Sequence, residues 1–346
     1  MRILFITALL LFSIAIPVSA LEITPPEVPD AGASRMPEST DSFADALTEL
    51  LQKALMEIRP DLAEAGRISM AVVGITMLFS LLHSFPGNLQ KITAIAGSAV
   101  IASVLLQNTD SLIRLGSSTI TELSEYGKLL LPVMTAALAA QGGTTTSTVL
   151  YAGTAAFDMI LSSLITGILI PLVFFFLSMA VANSAIAEDV LKRIRDFIKW
   201  IIGWILKTLL TIFTTYMGIS GVVSGTTDAV ALKATKITIS SVIPVVGGIL
   251  SDASEAVLVS AGVVKNTAGI YGILAILAVF LGPFLKIGIH YMVLKFTSAL
   301  CSLFGVKQLT DLVEDFSTAM GFLLAMTGAV CLMQLISTIC FLKGVT

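Results

Sequence analysis

The chain has 346 residues, of which 56% are apolar and only 12% charged, with 20 basic against 23 acidic side chains. A soluble domain carries about 25% charge, so a water-soluble globule of this length would lack the polar surface it needs. Balanced charge with no long basic block argues against nucleic-acid binding, and two histidines with three cysteines argue against a zinc or haem enzyme. The class that remains is an all-α, polytopic transmembrane helical bundle with no cofactor and the lipid bilayer as its first partner.

The amino terminus reads as a secretory signal peptide over residues 1–20. Arg2 precedes an apolar run from Ile3 to Ile16, and Val18-Ser19-Ala20 supplies small residues for cleavage after Ala20. An uncleaved first anchor is the alternative. Residues 21–40 carry Pro25, Pro26, Pro29 and Pro37 and predict an extended linker. An extracytoplasmic amphipathic helix is expected over 41–62, starting at Thr40-Asp41-Ser42 and losing its regular pattern at Pro60. Its apolar positions are Phe43, Ala46, Leu47, Leu50, Leu51, Ala54, Leu55 and Ile58, at i, i+3, i+4, i+7 spacing. Such a stripe must dock, either on the chain's own membrane domain or on a partner. In the partner reading, Leu47 and Leu51 are the candidate binding residues.

Residues 63–346 predict a multi-spanning membrane domain. A span needs about 20 apolar residues, and a charge at mid-membrane is costly. The stretches without Asp, Glu, Lys or Arg are 68–90, 92–109, 129–157, 159–187, 208–227, 266–285 and 316–342. Breaking 129–187 at Gly142-Gly143 and again near Gly167 and Pro171 gives three crossings, roughly 129–141, 149–166 and 168–187. The basic cluster Lys192, Arg193, Arg195 and Lys199 is then cytoplasmic, as the positive-inside rule asks. Trp200 and Trp204 mark an interface, with Lys207 able to snorkel to it. Counting 287–306 as a crossing gives about nine spans, and otherwise eight.

Two features stand out as candidate functional residues. Pro244, Gly247 and Gly248 interrupt an apolar stretch too short to cross, and Asp252 follows it. They predict a re-entrant or broken helix near 237–252, a backbone tolerated at membrane depth only when buried in protein or lining water. Asp158 is an ionisable side chain inside an apolar run, with Lys207 or Lys295 as possible partners. The glycines Gly218, Gly221, Gly269, Gly272, Gly282 and Gly288 offer places for close helix packing, and Cys301, Cys331 and Cys340 read as buried thiols. No nucleophile elbow, P-loop or His-Glu-x-x-His occurs, so no enzyme is expected.

The second half resembles the stage III sporulation protein AE family of endospore-forming bacteria. The residues that carry the likeness are Leu206-Lys207-Thr208-Leu209-Leu210-Thr211, Tyr216-Met217-Gly218, Ile243-Pro244-Val245-Val246-Gly247-Gly248, Ser251-Asp252-Ala253, Val264-Lys265-Asn266 and Gly269-Ile270. The resemblance implies a non-enzymatic subunit of an eight-protein set made in the mother cell. Its place would be the mother-cell membrane surrounding the forespore. There, with the other subunits of the stage III sporulation membrane complex, it would form a secretion-like channel needed for late forespore development. Two other functions fit the residues: a secondary transporter with a midplane site at Asp158, Lys207 and the 243–248 break, its small-molecule substrate unknown, or a scaffold docking a partner through helix 41–59.

Overall fold

A computed structural model describes residues 25–38, 43–83, 89–140, 144–186, 190–219 and 267–343. Among them there is no strand. A single turn, α1 (Asp30–Ala33), precedes six long rods. These are α2 (Phe43–His83), α3 (Leu89–Ala140), α4 (Thr144–Leu164) continuing through a π-turn at Ile165–Leu169 into α5 (Ile170–Ile186), α6 (Val190–Ile219), α7 (Thr267–Ser302) and α8 (Lys307–Lys343). All six are long and apolar enough to cross a membrane.

The eight or nine expected crossings collapse onto these six rods among the described residues. The described parts of 92–109 and 129–141 both lie on α3, those of 149–166 and 168–187 on the α4–α5 rod, and those of 266–285 and most of 287–306 on α7. The reason is physical: a charge ends a lipid-compatible stretch, but it does not end a helix. Asp110, Arg114, Glu122, Glu125 and Lys128 all sit within the 52-residue α3. At 1.5 Å per residue that rod is about 78 Å long, against a hydrocarbon core of about 30 Å.

Prolines do not end the rods either. Pro171 would drive its ring into the carbonyl of Gly167, four residues earlier. The π-turn over Ile165–Leu169 re-spaces the carbonyls at that place, so the chain continues helical where a break was expected. Pro60 lies inside α2, not at its end. An interior proline costs a helix about 3 kcal/mol, and contacts on both sides of it hold this one together. Ala54 and Ala65 are buried, and ion pairs join Glu57 to Arg35 and Asp61 to Lys286. The buried stripe Ala46, Leu50, Ala54 runs on through Ala65, Ser69, Val72 and Thr76.

The proline-rich segment is docked where it is described. Val28 and Met36 pack against the core, and Gly32 lies on α7 so closely that a Cβ would come within 2.7 Å of Val279 Cγ2 and 2.8 Å of its backbone nitrogen. The helices alternate in direction. Polar rungs run between α2 and α7, with Ser69 Oγ and Thr297 Oγ1 2.6 Å apart and the Ser80 hydroxyl donating to the Phe304 carbonyl at 2.7 Å, so these two rods are parallel. The turn Leu303–Gly305 reverses the chain into α8, and Gly305 takes the positive φ of 75° that this reversal requires. Helix α8 is the axis of the bundle: 94% of its most apolar window is buried, by α3, α5, α6 and α7 around it. The three cysteines are buried, as expected, and none is in a disulfide among the described residues.

Candidate functional site

Asp158 is buried at 1% exposure between three rods. Its position on α4 puts it opposite α3, where Ser124 Oγ donates to Asp158 Oδ2 at 2.6 Å. From the axial helix α8, Gln334 Nε2 donates to Asp158 Oδ1 at 2.7 Å. Gly127, one turn beyond Ser124, makes room for this node, because a Cβ there would overlap the Gln334 amide. The arrangement gives each carboxylate oxygen one donor and ties α3, α4 and α8 together at a single depth. Hydrogen bonds to a charged acceptor are worth about 1.5–3 kcal/mol each, and leaving such a group unpaired in an apolar core costs at least that much.

The expected partners of Asp158 are elsewhere. Lys207 is exposed on α6. It lies six residues before Phe213, whose ring packs edge-on to that of Phe157 at 5.4 Å. Lys295 pairs with Glu314. Pro244, Gly247, Gly248 and Asp252, with the whole 237–252 feature, lie outside the described residues. Leu47 packs partly buried against the core, whereas Leu51 stays 40% exposed. Of the close-packing glycines, Gly269 abuts Leu342, a Cβ at Gly272 would come within 3.1 Å of Leu130, and Gly282 lies under the Arg35 guanidinium.

Two further polar clusters escaped the sequence reading. Arg195 and Asp315 form a buried ion pair between α6 and α8, with Lys199 Nζ 3.7 Å from the same carboxylate. Arg195 and Lys199 are one turn apart and face the axis, which turns Phe197, Trp200 and Trp204 outward as a stacked ladder with ring centroids 6.0 Å apart. The second cluster surrounds a cleft of about 280 Å³ at the Pro283 position of α7, with Arg35, Glu57, Asp61 and Lys286 on its walls. There Arg35 bridges α2 and α7, pairing with Glu57 at 2.6 Å and donating to the Ala278 carbonyl at 3.3 Å. One signal for the Asp158 node was present in the sequence: Gln334 is the single amide side chain in the charge-free run 316–342.

Among the described residues no group of three or more His, Cys, Asp or Glu could hold a metal ion. The profile of the family described as Stage III sporulation protein AE matches residues 34–344, which takes in all six rods. The Stage III sporulation protein AE of Bacillus subtilis (strain 168) is 23% identical over 239 residues, an alignment covering 69% of this chain. It spans 60% of that relative's length. No solved structure matches the chain.

Proposed function

Because the chain belongs to the stage III sporulation protein AE family, we propose that it is a non-enzymatic, multi-pass membrane subunit of the sporulation channel, a secretion-like complex between mother cell and forespore. Its role there is to support late forespore development, from the mother-cell membrane that surrounds the forespore, in contact with other stage III sporulation subunits. The observation that carries this reading is the family match over residues 34–344 together with six apolar, membrane-length rods packed on one buried axial helix. Such a bundle supplies a rigid membrane body. Deleting the gene in its host should stop development after engulfment, and a plasmid copy should restore it. Normal spores from the deletion strain would overturn the proposal.

One observation favours a docking role within that reading. On α2, Leu51, Leu55, Met56 and Leu62 are large, apolar and exposed in the same stretch that carries the charged residues Glu57, Arg59 and Glu64. Leu51→Glu should release a bound subunit while leaving membrane insertion intact, and unchanged co-purification would remove this role. The transporter reading has less support, because Asp158 meets Ser124 and Gln334 and not Lys207, while the 243–248 break lies outside the described residues.

A further inference from the structure

Two neighbouring rods of the bundle, α3 and α4–α5, present unlike faces. Along α3 the exposed positions Ser103, Gln107, Ser111, Arg114, Ser118, Thr121, Glu125 and Lys128 recur at steps of four and three. Those steps place them on one face of the helix. Every member of this stripe is polar, and the exposed Leu106 and Leu129 lie at its edges. The stripe spans 25 residue steps, about 38 Å at 1.5 Å per step, somewhat more than one hydrocarbon thickness.

The depth of the stripe is set by contacts to its neighbour. Ser98 Oγ donates to the Ser184 carbonyl at 3.4 Å, and Ser124 Oγ reaches Asp158 at 2.6 Å. Residues 98–124 of α3 therefore lie alongside 158–184 of the α4–α5 rod. Over that same length the outward side chains of α4–α5 include Met159, Ile160, Ile168, Phe174 and Phe175, and none is charged. A bilayer at this depth suits one side of the bundle and not the other.

The hydroxyls of Ser103, Ser111, Ser118 and Thr121 are satisfied on their own helix, donating to the carbonyls of Val100, Asn108, Leu115 and Ser117. Those four would tolerate lipid. The remaining members decide the matter. Gln107, Glu125 and Lys128 are exposed amide and charged groups, and Arg114 is paired with Asp110 on the same helix, at 2.8 Å. Charged groups at membrane depth face a protein interior or water, not acyl chains.

We propose that the α3 stripe from Ser103 to Lys128 faces a water-filled passage within the membrane, whose other walls are neighbouring subunits. The inference rests on the membrane reading above and assigns this subunit's contribution to it: a polar wall on α3, beside a lipid-facing α4–α5.

Single cysteines test it in the full-length protein in membranes of sporulating cells, at Gln107→Cys, Ser111→Cys, Ser118→Cys and Thr121→Cys, against Ala156→Cys, Met159→Cys, Ile160→Cys and Ile168→Cys. The probe is a charged, water-soluble methanethiosulfonate. The stripe positions should react at least tenfold faster than the α4–α5 positions. Stripe positions as slow as the α4–α5 set would mean that protein or lipid covers the face, and the proposal would fall while the membrane reading stood. Fast reaction at both sets would mean that the bundle is not in lipid at all, and both readings would fall.

Discussion

Replacing Gly127 by alanine pushes a methyl group into the space that the Gln334 amide occupies. The amide must then leave Asp158 Oδ1, which it now meets at 2.7 Å. Losing a charge-assisted hydrogen bond costs about 1.5–3 kcal/mol, and overpacking adds about 1–3 kcal/mol. Alanine recovers about 0.5–1 kcal/mol as a better helix former than glycine. The net expectation for Gly127→Ala is a loss of about 2–5 kcal/mol. Gln334→Ala loses the same hydrogen bond and opens a cavity. In the double variant the alanine methyl enters the space that Gln334 vacates, so its cost should fall short of the sum by at least about 1.5 kcal/mol. Helical circular dichroism during unfolding in mixed micelles measures all three. If the single costs add to within about 0.5 kcal/mol, the close approach of Gly127 to Gln334 is refuted.

Arg195→Met leaves Asp315 buried without the guanidinium that faces it and should cost about 3–5 kcal/mol, whereas Arg195→Met with Asp315→Leu should be close to neutral by the same unfolding assay. Gly32→Ala cannot be seated against the Val279 backbone, so the 25–38 segment should come off α7. Limited trypsin digestion should then cut at Arg35, which is protected in the parent chain by its contacts to Glu57 and Ala278, and an unchanged digestion pattern would count against the docked arrangement. Gly305→Ala should lower stability by about 1 kcal/mol, because its φ of 75° is left-handed, and an unchanged midpoint would contradict the turn.

Much of the bundle is legible as charge-free stretches, because burial and lipid both select apolar side chains. Within the expected stripe of α2, Ala46, Leu50 and Ala54 form the buried line, whereas Leu51 and Leu55 stay exposed beside it. Lengths are a different matter. Asp110 and Lys128 look like loop residues by composition, yet both sit inside α3, because the backbone ladder is indifferent to a charge that can point outward. Pro60 and Pro171 look like stops, but a proline ends a helix only where no tertiary contact or π-turn compensates. Asp158 is legible as a special residue on its own. Its partners are not, because Ser124 lies 34 residues away and Gln334 176 residues away, and hydrogen bonds across such separations leave no local pattern. Arg195 has the appearance of a solvated loop cation, and only the packing of α6 on α8 turns it towards Asp315.

Trp200 and Trp204 are the two tryptophans of the chain, 59% and 55% exposed on the outward face of α6. Their fluorescence therefore reports what surrounds that face in the reconstituted full-length protein. Vesicles containing lipids brominated near the headgroup should quench most of the emission, while aqueous iodide should quench little. Strong quenching by iodide with none by brominated lipid would put this face in water, and the bundle would not be a membrane body.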